Sequence, residues 1–399
     1  MSAPRLRLGV AGLGRAFTLV LPTLANDPRI QLVCATDPQA LACAQFERDF
    51  GVPCVDSVQA LCAHPDVQAI YIATPHALHA SHVEMAAAHG KHAMVEKPMA
   101  LSLPDCTRMI DAAQRAGIVL MVGHSHSFNA PIARAHQRIQ SGEFGAVRMI
   151  QALNYTDFLY RPRRPEELDT RQGGGVLFSQ AAHQLDIVRL LGGGLVTQVM
   201  AHTGAWDPER PTEGAYSALL GFASGAFASV SYSGYGHFDS DQWMGDIGEL
   251  GQTKQQADYG AARRRLGQTR NAAQEAALKA ARNYGAPQWA GSTATPEGLL
   301  HQHFGPLVVS CDRADLRPTP HGVWVDGDGQ SALDPIAPSA IPRQEVIDEF
   351  YNAVVHQQPV LHSGVWARAT TALSLAILKS AQSGQPVVPE FQVAPTASV

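Results

Sequence analysis

Over its first 125 residues the chain alternates short apolar runs with segments of helical character. That alternation admits few folds, because strands joined through crossover helices must lie parallel, with both faces of their sheet covered. Leu6 to Ala11, Ile30 to Thr36, Val67 to Ala73, His92 to Val95 and Ile118 to Val122 are the expected strands. Between them Ala77 to His89 stops at Gly90, and Leu103 to Ala116 starts after Ser102, with Asp105 three residues on, and stops at Gly117. Start and stop signals of this kind agree with the periodicity. The expectation is an α/β chain that opens with a parallel-sheet domain over residues 1–125.

From residue 126 the pattern becomes an α+β mixture, expected to form a second domain over 126–399. Pro131 to Gln140 reads as a helix and Val147 to Tyr155 as a strand. Further strands are expected at Val196 to His202, Tyr216 to Phe222, Ala226 to Tyr232, Leu307 to Cys311 and Gly322 to Val325, separated by turns as in a large, mostly antiparallel open sheet. Asp241 to Thr295 interrupts that sheet, and its middle, Lys254 to Asn283, is rich in Ala, Gln and Arg and reads as a helical arm or lid. Arg343 to Val355 and Trp366 to Ser383 close the chain as helices, the second ending at Gly384.

Composition removes several function classes. The formal net charge of −5 provides no global basic field for nucleic acid or anionic lipid. The longest stretch without Asp, Glu, Lys or Arg, Gly214 to Phe238, breaks at Ser224-Gly225 and suits a hairpin rather than a membrane helix. Six scattered cysteines form no C-x-x-C pair and read as unpaired thiols. With no secretory signal before Leu6, the expected location is the cytoplasm. Of 30 basic residues only 5 are Lys, so a Lys at a strand end is conspicuous.

Gly9-x-x-Gly12-x-Gly14, followed by Arg15 and Ala16, joins the first strand to a helix. Glycines there allow a tight turn and let backbone N–H groups approach a pyrophosphate at the positive helix end. Phe17 stands where a third glycine is usual. Asp37, at the end of the second strand, can accept hydrogen bonds from ribose hydroxyls; its structural alternative is to cap the helix after Pro38. No cation follows Asp37 to meet a 2′-phosphate, so NAD is expected rather than NADP. The strand ends also place Lys97, after Val95, where open α/β sheets hold ligands. On the stretch Val176 to Leu191, read as one helix, Ser179, His183 and Asp186 share a face.

With Thr74-Pro75-His76-x-x-His79, Glu96-Lys97-Pro98 and Gly173-Gly174-Gly175 before His183 and Asp186, the chain resembles the glucose-fructose oxidoreductase and inositol dehydrogenase family. The resemblance spans nearly everything but the Asp241 to Thr295 insert. It implies an N-terminal Rossmann domain, a C-terminal α+β domain whose open sheet often forms the oligomer contact, and a site in the cleft between them. Lys97 and His183 are the implied catalytic pair. Thr74, His76, His79 and Glu96 join Gly12, Gly14, Arg15, Ala16, Asp37 and Lys97 at the cofactor. The family more often has Asn at His76 and Asp at Ser179, so the usual Lys, Asp, His set is incomplete here. It needs no metal, and none is expected from the separate positions of His76, His79 and His183.

His124-Ser125-His126-Ser127-Phe128, the run Asn154 to Pro165, Phe304-Gly305-Pro306 and Cys311 to Pro318 look like the phthalate 4,5-cis-dihydrodiol dehydrogenase subgroup. That implies an NAD-dependent oxidation of a carboxylated cyclic cis-dihydrodiol to a catechol, in a homo-oligomer, dimer or tetramer. His124, His126, Tyr160, Arg161, Arg163, Arg164, Ser179 and His183 are the expected substrate residues, the arginines, with Arg171 nearby, clamping carboxylate oxygens. A sugar or inositol dehydrogenase is the alternative within the family, and a non-catalytic NAD-sensing regulator the alternative outside enzymes.

Overall fold

The computed structural model describes residues 4–396 except Arg270, Gln288 and Ala290. Strands β1 (Leu6–Ala11), β2 (Ile30–Thr36), β3 (Ala69–Ile72), β4 (His92–Val95) and β5 (Leu120–Val122) form a parallel sheet in the order 2-1-3-4-5. Each strand is nearly all apolar because helices cover both faces. The helix Leu103–Ala116 follows its sequence signals: Ser102 Oγ accepts from the Asp105 N–H, and Gly117 closes the helix at φ +65°. The strand order reverses between β1 and β3, the point where open α/β sheets bind ligands.

The second sheet has eight strands: β6 (Val147–Tyr155), β7 (Val196–Gly204), β8 (Ala215–Phe222), β9 (Phe227–Ser233), β10 (Leu307–Cys311), β11 (Ala314–Thr319), β12 (Gly322–Gly327) and β13 (Gln330–Pro335). Their order is 13-12-11-10-6-9-8-7, and every pair is antiparallel except β6 with β9. The chargeless run forms the β8–β9 hairpin, turning at Gly225. One face packs against the helices Ala130–Gln140, Ala182–Leu191 and Gly364–Ser383. The other leaves Leu219 and Phe227 exposed. Among the described residues no helix is long and apolar enough to cross a membrane.

Four expectations change. Cys43 and Cys54 form a disulfide, so not all six thiols are free; the return of the chain to the edge of β2 after the helix Ala40–Phe50 brings them together. Strands β11 and β13 lacked a sequence signal, Asp315, Arg317 and Pro318 hiding the first and Gln330-Ser331 the second. The insert is not one helical arm but two short helices, Ala261–Leu266 and Ala272–Ala280, among turns and 3₁₀ segments. Finally, the helix Gln344–His356 packs back on the first sheet, with Val346, Ile347 and Phe350 against Leu8, Tyr71 and Met121 in one apolar core.

Candidate active site

At the end of β1 the chain turns at Gly12 with φ +95°, and a Cβ there would lie 2.7 Å from the Ala73 carbonyl oxygen. Only glycine lets the ends of β1 and β3 lie so close. Gly14 precedes the twelve-residue helix Arg15–Asn26, which has no side-chain cap, and has open space where its Cβ would be. Free N–H groups and open space fit a pyrophosphate. Asp37 accepts from the Leu13 N–H at 2.7 Å and from the Gln39 N–H at 2.8 Å, tying this loop to the next helix. A carboxylate has about four lone-pair sites, so acceptor capacity remains for ribose hydroxyls.

Past the glycine loop a polar cleft of about 550 Å³ opens between the two sheets, lined by Arg15, Ala16, Thr74, His76, Glu96, Lys97, His124, His126, Ser179 and His183 among others. Lys97 follows β4 at a cis Lys97–Pro98 bond and donates to the Ser179 carbonyl oxygen at 2.7 Å. Burial pushes its ammonium pKa down, against the pull of Glu96 and Glu249. Glu96 itself is buried and accepts from the Tyr71 hydroxyl. His79 lies behind the cleft rather than in it, with Nε2 2.9 Å from the Thr74 oxygen and Nδ1 3.1 Å from the Pro98 oxygen. It thus fixes two site loops to each other. His76, in the cleft, has its pKa lowered to about 3 by burial and by His79 and Lys97.

His183 is reached through an irregular helix. Leu177–Ala181 forms a π turn before the α-helix Ala182–Leu191, in place of the single α-helix expected. The wider turn rotates the residues after it, and the shared face predicted for Ser179, His183 and Asp186 is not kept. Ser179 and His183 line the cleft, whereas Asp186 turns into the core and accepts from Ser125, Ser127, Trp366 and Thr370. The Ser179 hydroxyl bonds back to the Gly175 oxygen, so it is the carbonyl of this residue that serves Lys97. The His183 ring sits 4.7 Å from that of His126 and 5.1 Å from that of Phe304, and its Nδ1 has no protein partner. Burial, Lys97 and the neighbouring imidazoles hold it well below the usual histidine range. His124, whose Nε2 is also partnerless, is shifted in the same direction.

The arginine run divides. Arg161 and Arg163 line the cleft. Arg161 lies 3.8 Å from Glu249, while Arg163 stacks 3.6 Å above the Phe158 ring and donates to the Phe158 oxygen. Arg164 faces a different cavity and pairs with Glu166 and Glu167; Arg171 is 90% exposed and pairs with Asp169. Short salt-bridged loops on 3₁₀ turns send these two outward. Tyr160 is covered by the Arg263 guanidinium and does not line the cleft.

Sequence reasoning missed Glu249, Lys279, Arg282 and Arg343, all in the cleft wall. The first three belong to the insert, which carried no motif. Glu249 faces His126 at 3.5 Å, and His126, Arg161 and Lys97 lower its pKa to about 2 despite burial. Lys279 pairs with Glu167 and closes the insert onto the loop before the Gly triplet. Altogether nine cationic and seven acidic side chains line the cleft, a positive balance in a chain of net charge −5. A second cavity of about 930 Å³ runs from Gln39 and Leu41 to Arg265, Leu278 and Tyr284 of the insert.

Comparison with known proteins matches this geometry. Residues 6–124 match an oxidoreductase family with an NAD-binding Rossmann fold, and residues 132–253 match the C-terminal domain of the same family, GFO/IDH/MocA. The chain is 48% identical to a 1-carboxy-3-chloro-3,4-dihydroxycyclohexa-1,5-diene dehydrogenase of Comamonas testosteroni, over 96% of this chain and 95% of that one. The crystal structure of a candidate dehydrogenase from Bordetella bronchiseptica RB50 is 39% identical and superposes with a TM-score of 0.90, covering 96% of this chain and 100% of that one. A levoglucosan dehydrogenase in complex with NADH and levoglucosan, 19% identical with a TM-score of 0.70 over 97% of this chain and 100% of that one, shares the fold. The chain therefore belongs to the GFO/IDH/MocA family of oxidoreductases and carries that family's NAD-binding Rossmann fold.

Proposed function

We propose that this oxidoreductase oxidises a carboxylated cyclic cis-dihydrodiol to a catechol. The observation that carries the reading is the cleft itself, where Lys97 and His183 stand together inside a wall with more cations than acids. A neutral polyol would gain nothing from that excess, and the family's usual acid is replaced by Ser179. The Comamonas relative, named for a carboxylated dihydroxycyclohexadiene, supports the same substrate class.

In this reading Gly12, Gly14, Arg15 and Ala16 hold the pyrophosphate and Asp37 the adenosine ribose. Thr74, His76 and Glu96 border the nicotinamide end, and NAD, when bound, supplies the hydride acceptor. One carbinol carbon loses its hydrogen as hydride and its hydroxyl loses a proton, leaving a ketone. The neighbouring carbinol carbon then loses its proton, the ketone oxygen gains one, and the ring becomes aromatic. We assign the hydroxyl proton to Lys97, because burial moves the ammonium down toward working pH, whereas the same burial moves His183 away from it. His183 orients the hydroxyl through a hydrogen bond. His124 and His126 complete that wall, and Arg161 and Arg163 add positive charge beside it.

NAD reduction measured across carboxylated dihydrodiols, uncharged dihydrodiols, hydroxy acids and polyols tests the assignment. Carboxylated dihydrodiols should give the highest kcat/KM, and better turnover of neutral polyols would replace it with a sugar dehydrogenase. Lys97→Ala should lower kcat by ~10²–10⁴-fold, with partial rescue by added alkylamines, while His183→Ala should lower kcat yet retain the rise of rate with pH. Loss of that rise in His183→Ala alone would move the proton to the imidazole.

A further inference from the structure

We propose that Arg343, rather than an arginine of the 161–171 run, holds the substrate's carboxylate. The inference rests on the dihydrodiol reading and names the residue that would select for its charged group. Arg343 starts the helix Gln344–His356 with φ +55°, a left-handed conformation uncommon for a residue with a Cβ. Its neighbour is held in place, the Pro342 oxygen accepting from Thr23 Oγ1 at 2.6 Å. The guanidinium lies in the cleft among Lys97, Glu96, His124, His126, His183 and Glu249, and its charge adds to the lowering of the Lys97, His124, His126 and His183 pKa values.

Beside the 161–171 run, it is set apart by a guanidinium with no carboxylate within 4 Å and no ring or backbone oxygen as partner among the described residues. Arg161 has Glu249, Arg163 has the Phe158 oxygen and ring, Arg164 has Glu166 and Glu167, and Arg171 has Asp169. Among the described residues Arg343 makes one hydrogen bond, Nε to Gln302 Oε1 at 3.3 Å, and no ion pair. Its two terminal nitrogens keep their donors for a ligand. Glu96 and Glu249 act on this charge only from a distance, and a half-buried guanidinium with no directly bonded anion is satisfied by a carboxylate through two parallel bonds. The single bond it does make sets its place relative to the histidines. The backbone carbonyl oxygen of the same Gln302 accepts from Asn129 Nδ2, which also contacts His126 Nδ1 at 2.9 Å, and the His126 ring meets that of His183. A carboxylate on Arg343 would hold the ring against the same wall that carries the proposed hydroxyl partner.

The cofactor's pyrophosphate is the other anion in the cleft when NAD is bound, and the test separates the two. Arg343→Gln should raise KM for a carboxylated cis-dihydrodiol by roughly 10–150-fold, leave KM for an uncharged cis-dihydrodiol within about threefold, and leave the Kd of NADH unchanged. Arg343→Lys, which keeps charge but not the fork, should fall between, and Arg161→Gln should discriminate less than Arg343→Gln. Equal losses with both diols, or a loss confined to NADH binding, would overturn the proposal. Calorimetric titration of benzoate into the NADH complex is independent of turnover. If neither diol reacts, the dihydrodiol reading fails by itself, while tighter benzoate binding by the unaltered protein than by Arg343→Gln still supports a carboxylate site. Equal benzoate binding by the two would refute it.

Discussion

At the scale of single residues, the cleft departs from the simplest reading of its motif at Ser179. The side chain faces back to Gly175 and the carbonyl receives Lys97. Ser179→Ala should therefore change kcat less than tenfold, whereas a side-chain role would give the ~10²–10⁴-fold loss of a proton-transfer group; steady-state kinetics at saturating NAD decides. The buried imidazoles also tie stability to pH. His124 and His183 are held neutral in the folded protein, while the unfolded chain binds protons there below about pH 6.5. Their contribution is full above that pH and is lost progressively as pH falls toward the lower folded values, by roughly 1.4 kcal/mol per group per unit. His362 runs the other way, because Glu349, 2.7 Å from its Nδ1, raises its pKa, so its share is present below about pH 6.5 and lost as pH rises through the folded value. Seven further histidines, His76 and His126 among them, are lowered as well, and nine lowered imidazoles against one raised predict a Tm that falls between pH 7 and pH 5; calorimetry showing a rise would contradict it.

Elements with caps and steady periodicity were legible in the sequence, and those ruled by tertiary packing were not. The helix Leu103–Ala116 matches its expected bounds because Ser102 and Gly117 terminate it locally. The π turn at Leu177–Ala181 has no such local cause, since its residues are ordinary helix formers held by Gly175 against Glu213 and by Ser179 against Lys97. The insert was legible only as an interruption. Its docking depends on Tyr284, whose ring meets Phe17 at 5.1 Å and whose hydroxyl reaches Asp49, contacts no window of sequence reveals. Arg343 was legible only as the first residue of a helix, its role in the cleft depending on a backbone angle. The β1 turn gives a sharper prediction. Gly12→Ala should weaken NADH binding at least tenfold and cost about 1–3 kcal/mol of stability, since φ +95° and the Ala73 oxygen at 2.7 Å both oppose a Cβ. Fluorescence titration with NADH and a thermal melt measure the two losses, and unchanged values would show that the loop relaxes freely.

Across the whole molecule, the second sheet keeps an exposed apolar face away from the cleft. On it Leu219 and Phe227 are 54% and 45% exposed on neighbouring strands, and we propose this face as the contact between copies. Light scattering should show a dimer or tetramer that Leu219→Asp with Phe227→Asp dissociates, and a monomeric unaltered protein at micromolar concentration would end that proposal. The return of the helix Gln344–His356 to the first sheet bears on how the chain is made. The five parallel strands are complete by Val122, yet the face bearing Leu8, Tyr71 and Met121 shares its apolar core with Val346, Ile347 and Phe350 as well as with Phe17, Leu21 and Phe128. At a synthesis rate of ~5–20 residues per second, more than 200 residues leave the ribosome while that face waits. A chain stopped at Ala340 should accumulate as a chaperone-bound or insoluble product, and supplying residues 341–396 as a separate peptide should recover soluble, NADH-binding protein. The nucleotide domain is thus finished by a segment translated more than 200 residues after its fifth strand.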